Sequence, residues 1–392
     1  MRPKQAGQVR REDRPFAQKP PTVSHAGATR LEKIAIPPKG ICPGGRGQPG
    51  QGLKPALAAL ARAAGLALAL AAAWPLAAAA DVAAAPACLG DRQPLTVSSQ
   101  MPYALVSVGG RQGYFVLDFG ASVSSITPSG FQGPVQPAPV PGSADRYDDF
   151  VFFGPWGRVQ FALQALAPVR GLVAQAGVLG TDFLAQHVYT LDYRGAQIFR
   201  AEPGRFCGDA VLAAAGYRPV STRDYYGSQP AALRCPRAGA ASGGCANIPA
   251  VPIRIGTVEA VAQLDTGYDD GRQPFSVNIN VALFDALRAA GIALQARPEL
   301  NLQLSTCQAG TSEPVEAWRL PAGVAFGLVD TAGRLLPRGG KAVTLYVKRP
   351  PAAAAHCGGI GTWAQPAAQL GASFVAGGAL VVDPISARVW LR

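Results

Sequence analysis

The sequence predicts a mainly β protein made of two copies of one design with a cleft between them, and three observations carry this reading. Gly (46) and Pro (35) together make up about a fifth of the 392 residues, which suits many short strands joined by turns rather than a helical bundle. Two blocks of sequence each occur twice without gaps. The blocks also keep the same order in both halves, so one unit has been duplicated.

The first 53 residues are rich in Gly, Pro, Gln and Arg and show no hydrophobic period. They are expected to be a low-complexity basic leader, disordered or lying upstream of a later true start. The run Gly45-Arg-Gly-Gln-Pro-Gly50 fits G-x-G-x-x-G but has no preceding strand and contains Pro49, so it is not read as a dinucleotide site. Residues 54–87 read as an export signal: Lys54 and Arg62 precede eighteen uncharged residues, 63–80, and small residues follow to Ala87. The alternative is a retained anchor, since eighteen residues just reach across a bilayer. Alanine contributes little transfer energy and Pro75 interrupts the run, which favours cleavage. The protein is therefore expected to be periplasmic or secreted, with membrane contact only if residues 63–80 are kept.

The leader also explains the charge. Residues 1–62 carry twelve Lys/Arg against three Asp/Glu, so they hold +9 of the net +12. The rest is near neutral without basic runs, which argues against a nucleic-acid partner. At 48% hydrophobic and 15% charged, the chain is too apolar to be disordered as a whole. Six cysteines follow the signal: Cys88, Cys207, Cys235, Cys245, Cys307 and Cys357. In an exported chain these suggest three disulfides, with fifteen possible pairings. Segment boundaries favour Cys88–Cys207, Cys235–Cys245 and Cys307–Cys357. There is no C-x-x-C, and His187 and His356 are the only histidines after the signal, so neither a metal nor another cofactor is expected. His187 is read as a surface or capping residue.

The first repeated block runs from Val106 to Gly120 and again from Ile253 to Gly267, at a constant offset of 147. Each copy reads as a strand, a turn at Gly109 or Gly256, and a second strand ending in Leu-Asp. The second block runs from Leu179-Gly180 to Phe199 and again from Leu370-Gly371 to Trp390, at an offset of 191. The spacing between blocks is 44 residues longer in the second half, and this excess contains Cys307 and Cys357. It also holds the clearest helix, Val281 to Ala290, with Leu283, Phe284 and Leu287 on one face, Asn280 as cap and Gly291 as terminator. Residues 216–247 lack periodicity and read as a linker, leaving halves at 88–215 and 248–392.

Each half thus delivers one carboxylate at the end of an apolar strand, followed by x-Gly. Burial of such a group is unfavourable unless it is paired or hydrogen-bonded. If the units pack about a pseudo-twofold axis, Asp118 and Asp265 meet and share one proton. One can then act as base on a water while the other donates to a scissile carbonyl.

At these residues the chain resembles the aspartic proteases, in particular the bacterial retropepsin-like and pepsin-like group. Asp265-Thr266-Gly267 is similar to that family's active-site triplet, and Asp118-Phe119-Gly120-Ala121-Ser122 to its partner. Val178-Leu179-Gly180 resembles the family's apolar-apolar-Gly strand, with Gln369-Leu370-Gly371 a poorer copy. The likeness covers residues 104–200 and 251–392. It implies two closed, barrel-like β lobes related by a pseudo-twofold axis, a few short helices after Gly180 and Asn280, and an active cleft between lobes. It implies Asp118 and Asp265 as catalytic residues, a polypeptide substrate, and a monomer, because one chain holds both lobes.

The resemblance also assigns loop support to Phe119, Gly120, Ser122, Thr266, Gly267 and Asp269, with two departures. The family places Thr or Ser after each aspartate, where paired hydroxyls brace the loops, but the first copy has Phe119. Ser122 and Asp269 then differ between the copies, Ser supporting the carboxylate and Asp holding substrate backbone. Asp118-Phe119-Gly120 also matches a kinase triplet, but no H-R-D or V-A-I-K accompanies it. Residues 150–161 read as a hairpin with Gly154-Pro155-Trp156-Gly157 at its tip. They are either a flap over the cleft or an ordinary hairpin with core aromatics. The expected function is that of an exported aspartic endopeptidase. The alternatives are a peptide-binding protein of the same fold without catalysis, and a structural exported β-protein.

Overall fold

The computed structural model describes residues 85–132, 146–164, 173–224, 248–305, 312–337, 342–349, 360–384 and 386–392. Residues 1–84, which hold the segment read as a leader and all but the last three residues of the segment read as an export signal, lie outside the described residues, as do Cys235, Cys245, Cys307 and Cys357. Among the described residues no helix is long and apolar enough to cross a membrane.

The repeated blocks become hydrogen-bonded partners. In the first half, strands Met101–Val108 and Arg111–Leu117 form a hairpin. Its turn places Gly109 and Gly110 at φ 54° and 73°, a left-handed conformation that glycine adopts without steric penalty. The second strand stops one residue short of Asp118 and pairs in parallel with Gln175–Leu179, matching Leu117 to Leu179. On its other edge Gln175–Leu179 pairs antiparallel with Ser125–Ile126. The strand carrying Leu179 therefore lies between the strand entering the Asp118 loop and the strand leaving it.

The second half repeats this arrangement. Pro249–Ile255 and Val258–Asp265 form the hairpin. Val258–Asp265 runs parallel to Ala367–Gly371, matching Leu264 to Leu370, and Ala367–Gly371 pairs antiparallel with Ser276–Asn280. Adding 147 to Leu117 and 191 to Leu179 gives Leu264 and Leu370, so both offsets survive as one register.

A third sheet joins the halves. Its order is Asp91–Pro94, Gln197–Ala201, Val188–Asp192, Ala379–Asp383, Arg388–Leu391, Arg218–Ser221. At its centre Tyr189 faces Val382 and Leu191 faces Leu380. Exchanging the halves through the 191-residue offset maps one pair onto the other, the signature of a pseudo-twofold axis. The described residues are mainly β, with each half built on its own sheet and the third sheet shared between them.

Helix Val281–Ala289 forms where the sequence places it. Asn280 Oδ1 accepts from Leu283 N at 2.9 Å, and Leu283, Phe284 and Leu287 face the core. The segment read as a linker is described as far as Asp224, and that part is strand. Arg218–Ser221 closes one edge of the third sheet against Arg388–Leu391, and Arg223–Asp224 pairs with Pro249–Ala250. Strands this short, within Gly- and Pro-containing sequence, leave too few residues for a visible period.

Cys88 and Cys207 form a disulfide between the start of the first half and the loop after its last repeated strand. Both pack on the third sheet with Leu89, Leu212 and Trp390. The bridge closes a separation of 119 residues. The double substitution Cys88→Ser/Cys207→Ser is expected to lower unfolding stability by about 2–5 kcal/mol, read as a shift in denaturant midpoint without reductant. An unchanged midpoint would show that the bridge does not constrain the unfolded chain.

Candidate active site

Each repeated hairpin ends by turning its aspartate toward the pseudo-twofold axis. A Cβ added at Gly120 would lie 2.4 Å from Asp265 Cγ, and one added at Gly267 would lie 2.3 Å from Asp118 Cγ. Each carboxyl therefore packs on the bare backbone of the opposite loop, and only glycine leaves room for it. The two carboxyl groups lie close enough for each to act on the other's titration. Asp118 Oδ1 accepts from Gly120 N at 2.7 Å and Gly267 N at 3.3 Å, while Asp265 Oδ1 accepts from Gly267 N at 3.2 Å. The Gly267 amide is thus shared between the aspartates.

Burial pushes both carboxyls above the ordinary carboxylate range. The charge of Asp118 pushes Asp265 further in the same direction. Two carboxylates in contact cannot both ionise readily, so the pair holds one proton well past the point where isolated aspartates have lost theirs.

A single hydroxyl braces the two loops. Thr266 Oγ1 donates to Leu117 O at 2.5 Å and accepts from Phe119 N at 3.1 Å. Phe119 N and Thr266 are equivalent positions, 147 residues apart, so this bond crosses the axis. Phe119 has no hydroxyl with which to return it. Phe119 is 1% exposed, packs in the core, and lines a small cavity with Thr181, Pro249 and Val382. Gln263 Nε2 adds a second link by donating to Gly120 O at 3.0 Å.

Ser122 is half-buried on the first loop, but the hydroxyl that ties this loop down belongs to Ser124. Ser124 Oγ accepts from Gly180 N at 2.8 Å and donates to Asp182 Oδ1 at 2.6 Å. This couples the loop to the start of the second repeated block, and neither Ser124 nor Asp182 stood out in the sequence. Asp269 lies on the second loop, where Oδ2 accepts from Gly271 N at 3.2 Å. Burial and the adjacent Asp270 push its carboxyl up to about 6. Its charge also acts on Tyr103 of the first half, whose hydroxyl is pushed up to about 12, mainly by burial.

Gln369 is the largest addition to the sequence reading. Its Nε2 donates to Asp265 Oδ2, and Asn278 Nδ2 donates to Gln369 Oε1 at 2.9 Å. The visible signal was an amide in an apolar position of the Leu-Gly block.

The hairpin at 150–161 exists, as Arg146–Val151 against Pro155–Gln160, and its aromatics belong to the core. Tyr147 is fully buried, and Trp156 packs on Phe183 and His187 while donating to Phe152 O at 2.8 Å. The turn falls at Phe152–Gly154, earlier than the sequence suggested. His187 is correspondingly a half-buried packing residue between Trp156 and Tyr189, 3.3 Å from Glu202. Among the described residues no group of three or more His, Cys, Asp or Glu side chains is placed to hold a metal ion.

No protein-family model matches the chain, and none of the curated proteins does. Among solved structures it is similar to conglutin gamma, a basic 7S globulin from lupine seeds, with TM-score 0.34 and 11% identity over 76% of this chain and 93% of that one. Basic 7S globulin from soybean aligns with TM-score 0.33 and 10% identity over 76% of this chain and 93% of that one.

Two outcomes follow from this geometry. Thr266→Val leaves a buried N–H and a buried carbonyl without their shared partner, and is expected to cost about 1–3 kcal/mol in denaturant unfolding. Thr266→Ser should retain most of that stability, and equal losses in the two variants would rule out the bridging role. The second outcome concerns pH. The folded-state titration of the aspartates lies above the unfolded one, so their stabilising contribution is full at low pH and is lost as pH rises through the folded transition. Asp265→Asn, neutral throughout, should therefore melt higher relative to wild type at pH 7 than at pH 4. A difference independent of pH would contradict the raised titration.

Proposed function

We propose that this chain is an aspartic endopeptidase that hydrolyses peptide bonds with water activated between Asp118 and Asp265. The observation that supports this most directly is the seating of each carboxyl on the other loop's glycine, which brings the two into interaction across the pseudo-twofold axis. In this reading the ionised member of the pair takes a proton from water as the oxygen attacks the scissile carbonyl carbon. The protonated member donates to the carbonyl oxygen, giving a tetrahedral intermediate. Collapse expels the amine, which leaves with a proton from one aspartate while a hydroxyl of the intermediate returns its proton to the other, so the pair again holds one proton. No covalent enzyme intermediate is required.

Phe119 does not argue against this function, because Thr266 makes both bracing bonds alone. Asp269, half-buried on the loop beside Asp265, is suited to accept a backbone N–H from an extended peptide. The reading includes export to an oxidising compartment, supported by the Cys88–Cys207 bridge. It also includes action as a monomer, since both aspartates come from one chain.

The purified protein should cleave an unfolded polypeptide at acid pH. Asp118→Asn and Asp265→Asn should each reduce the rate by about 10²–10⁴-fold or more while the protein remains folded. Activity requires one proton on the pair, so it should fall at low pH as the second proton binds and at high pH as the last one leaves. Because burial raises both carboxyls, the high-pH limb should lie above the ordinary carboxylate range. Peptide binding that survives both substitutions, with no cleavage from pH 3 to 7, would instead assign the cleft to binding.

A further inference from the structure

The two halves differ at one facing pair of positions directly beneath the aspartates. In the first half Val116 faces Val178, and in the second the equivalent pair is Gln263 and Gln369. Val178 packs with Tyr103 and Val116 and has no donor to offer Asp118. Gln369 places an amide under Asp265 alone.

The orientation of that amide is determined by its neighbours. Gln369 and Asn278 are directly opposed on adjacent antiparallel strands, so their side chains share one face of the sheet. Asn278 is 1% exposed, and its Nδ2 donates to Gln369 Oε1 at 2.9 Å. Asn278 Oδ1 in turn accepts from Tyr268 Oη at 3.4 Å. With Oε1 held by Asn278, Nε2 must point at Asp265 Oδ2, as it does. A flipped Gln369 would set oxygen against the Asp265 carboxylate and N–H against the N–H of Asn278.

We propose that Gln369 is a positioning residue of the aspartate pair: oriented by Asn278, its amide fixes the Asp265 carboxyl against Asp118 and favours the ionised form at Asp265, an asymmetry that Val178 denies the first half. This rests on the reading of Asp118 and Asp265 as a pair that shares a proton. The other groups acting on Asp265 are Asp118 from the opposite loop, the Gly267 amide of its own loop and Lys348 at the end of strand Thr344–Lys348, while Tyr268 beside it is itself raised by the Asp265 charge. Asp118 opposes ionisation there and Lys348 favours it at longer range. Gln369 is the neutral side-chain donor in direct contact, on Oδ2, while the Gly267 amide serves Oδ1.

The test uses the full chain labelled with ¹³C at aspartate carboxyls and followed by NMR through a pH titration, with Asp118→Asn and Asp265→Asn assigning the signals. Gln369→Leu removes one hydrogen bond to a charged carboxylate and should move the pair's upper transition upward by about one pH unit. Gln369→Met, closer in volume, provides the same reading if the Leu variant fails to fold. Asn278→Leu should produce a smaller shift in the same direction, and no further shift once Gln369 is Leu, because it acts only through that amide. If the wild-type protein cleaves peptide, the high-pH limb of kcat/KM should move with the NMR transition.

A folded Gln369→Met whose aspartates titrate as in wild type would overturn the proposal. Full additivity of the Asn278 and Gln369 effects would overturn the orienting role. If no cleavage is seen at any pH but the titration still shifts, the endopeptidase reading fails while the positioning role stands. If Asp118 and Asp265 titrate independently at ordinary values, both fail.

Discussion

Placing Asp118 and Asp265 against each other inside the protein is unfavourable in two ways, by desolvation and by mutual repulsion, and much of the local structure offsets that cost. A buried carboxylate without donors would neutralise or force the site apart. Here the donors come from the loops themselves: Gly120 and Gly267 supply the amides, and their missing side chains leave the space that the opposite carboxyl occupies. The loops stay in place because each follows a strand hydrogen-bonded to the Leu-Gly strand behind it. The halves stay in place because the third sheet runs continuously across the axis. Relaxing any of these layers would separate the carboxyls or expose them to water.

Within this frame the two halves have different tasks. Thr266 carries both bracing bonds, while Phe119 at the equivalent position is an apolar side chain buried in the core. On the sheet face below the loops, the second half is polar where the first is apolar. The row Gln263, Gln369 and Asn278 binds Gly120 on one side and Asp265 on the other. The first loop is tied instead to its own half, through Ser124, Gly180 and Asp182. Contacts that cross the axis therefore originate mainly from the second half, which holds the first loop as well as its own.

What could be read from the sequence follows from which interactions leave a local pattern. Asp-x-Gly after an apolar strand and Leu-Gly before a helical turn are contiguous motifs, and their constant offsets reappear as the pairing of Leu117 with Leu179 and Leu264 with Leu370. The cap of helix Val281–Ala289 was legible for the same reason, since Asn280 and Leu283 are three residues apart. Contacts such as Asn278 to Gln369 or Ser124 to Asp182 join positions 91 and 58 residues apart and carry no spacing rule. The strands at Arg218–Ser221 and Arg223–Asp224 were hidden because they are short edge or bridging pieces, defined by their partners rather than by their own periodicity. The hairpin at 150–161 had a clear period, but its Trp156 could have faced a cleft or a core, and only the packing on Phe183 decides that.

Duplication within one chain explains why this asymmetry is possible at all. In a twofold dimer of identical subunits every residue at the axis meets its own copy, so the position after the aspartate must be Thr twice or Phe twice. Two phenylalanines would leave both loops without a brace, and two glutamines at the Gln369 position would stabilise ionisation at both aspartates. That second arrangement would oppose the sharing of one proton, because each carboxyl would receive the same donor and neither would be distinguished. With the copies on one chain, Thr266 can brace while Phe119 packs in the core, and Gln369 can support Asp265 while Val178 leaves Asp118 to its backbone amides. The symmetry that brings the carboxyls together is that of the backbone, and the side chains around it are free to make them unequal.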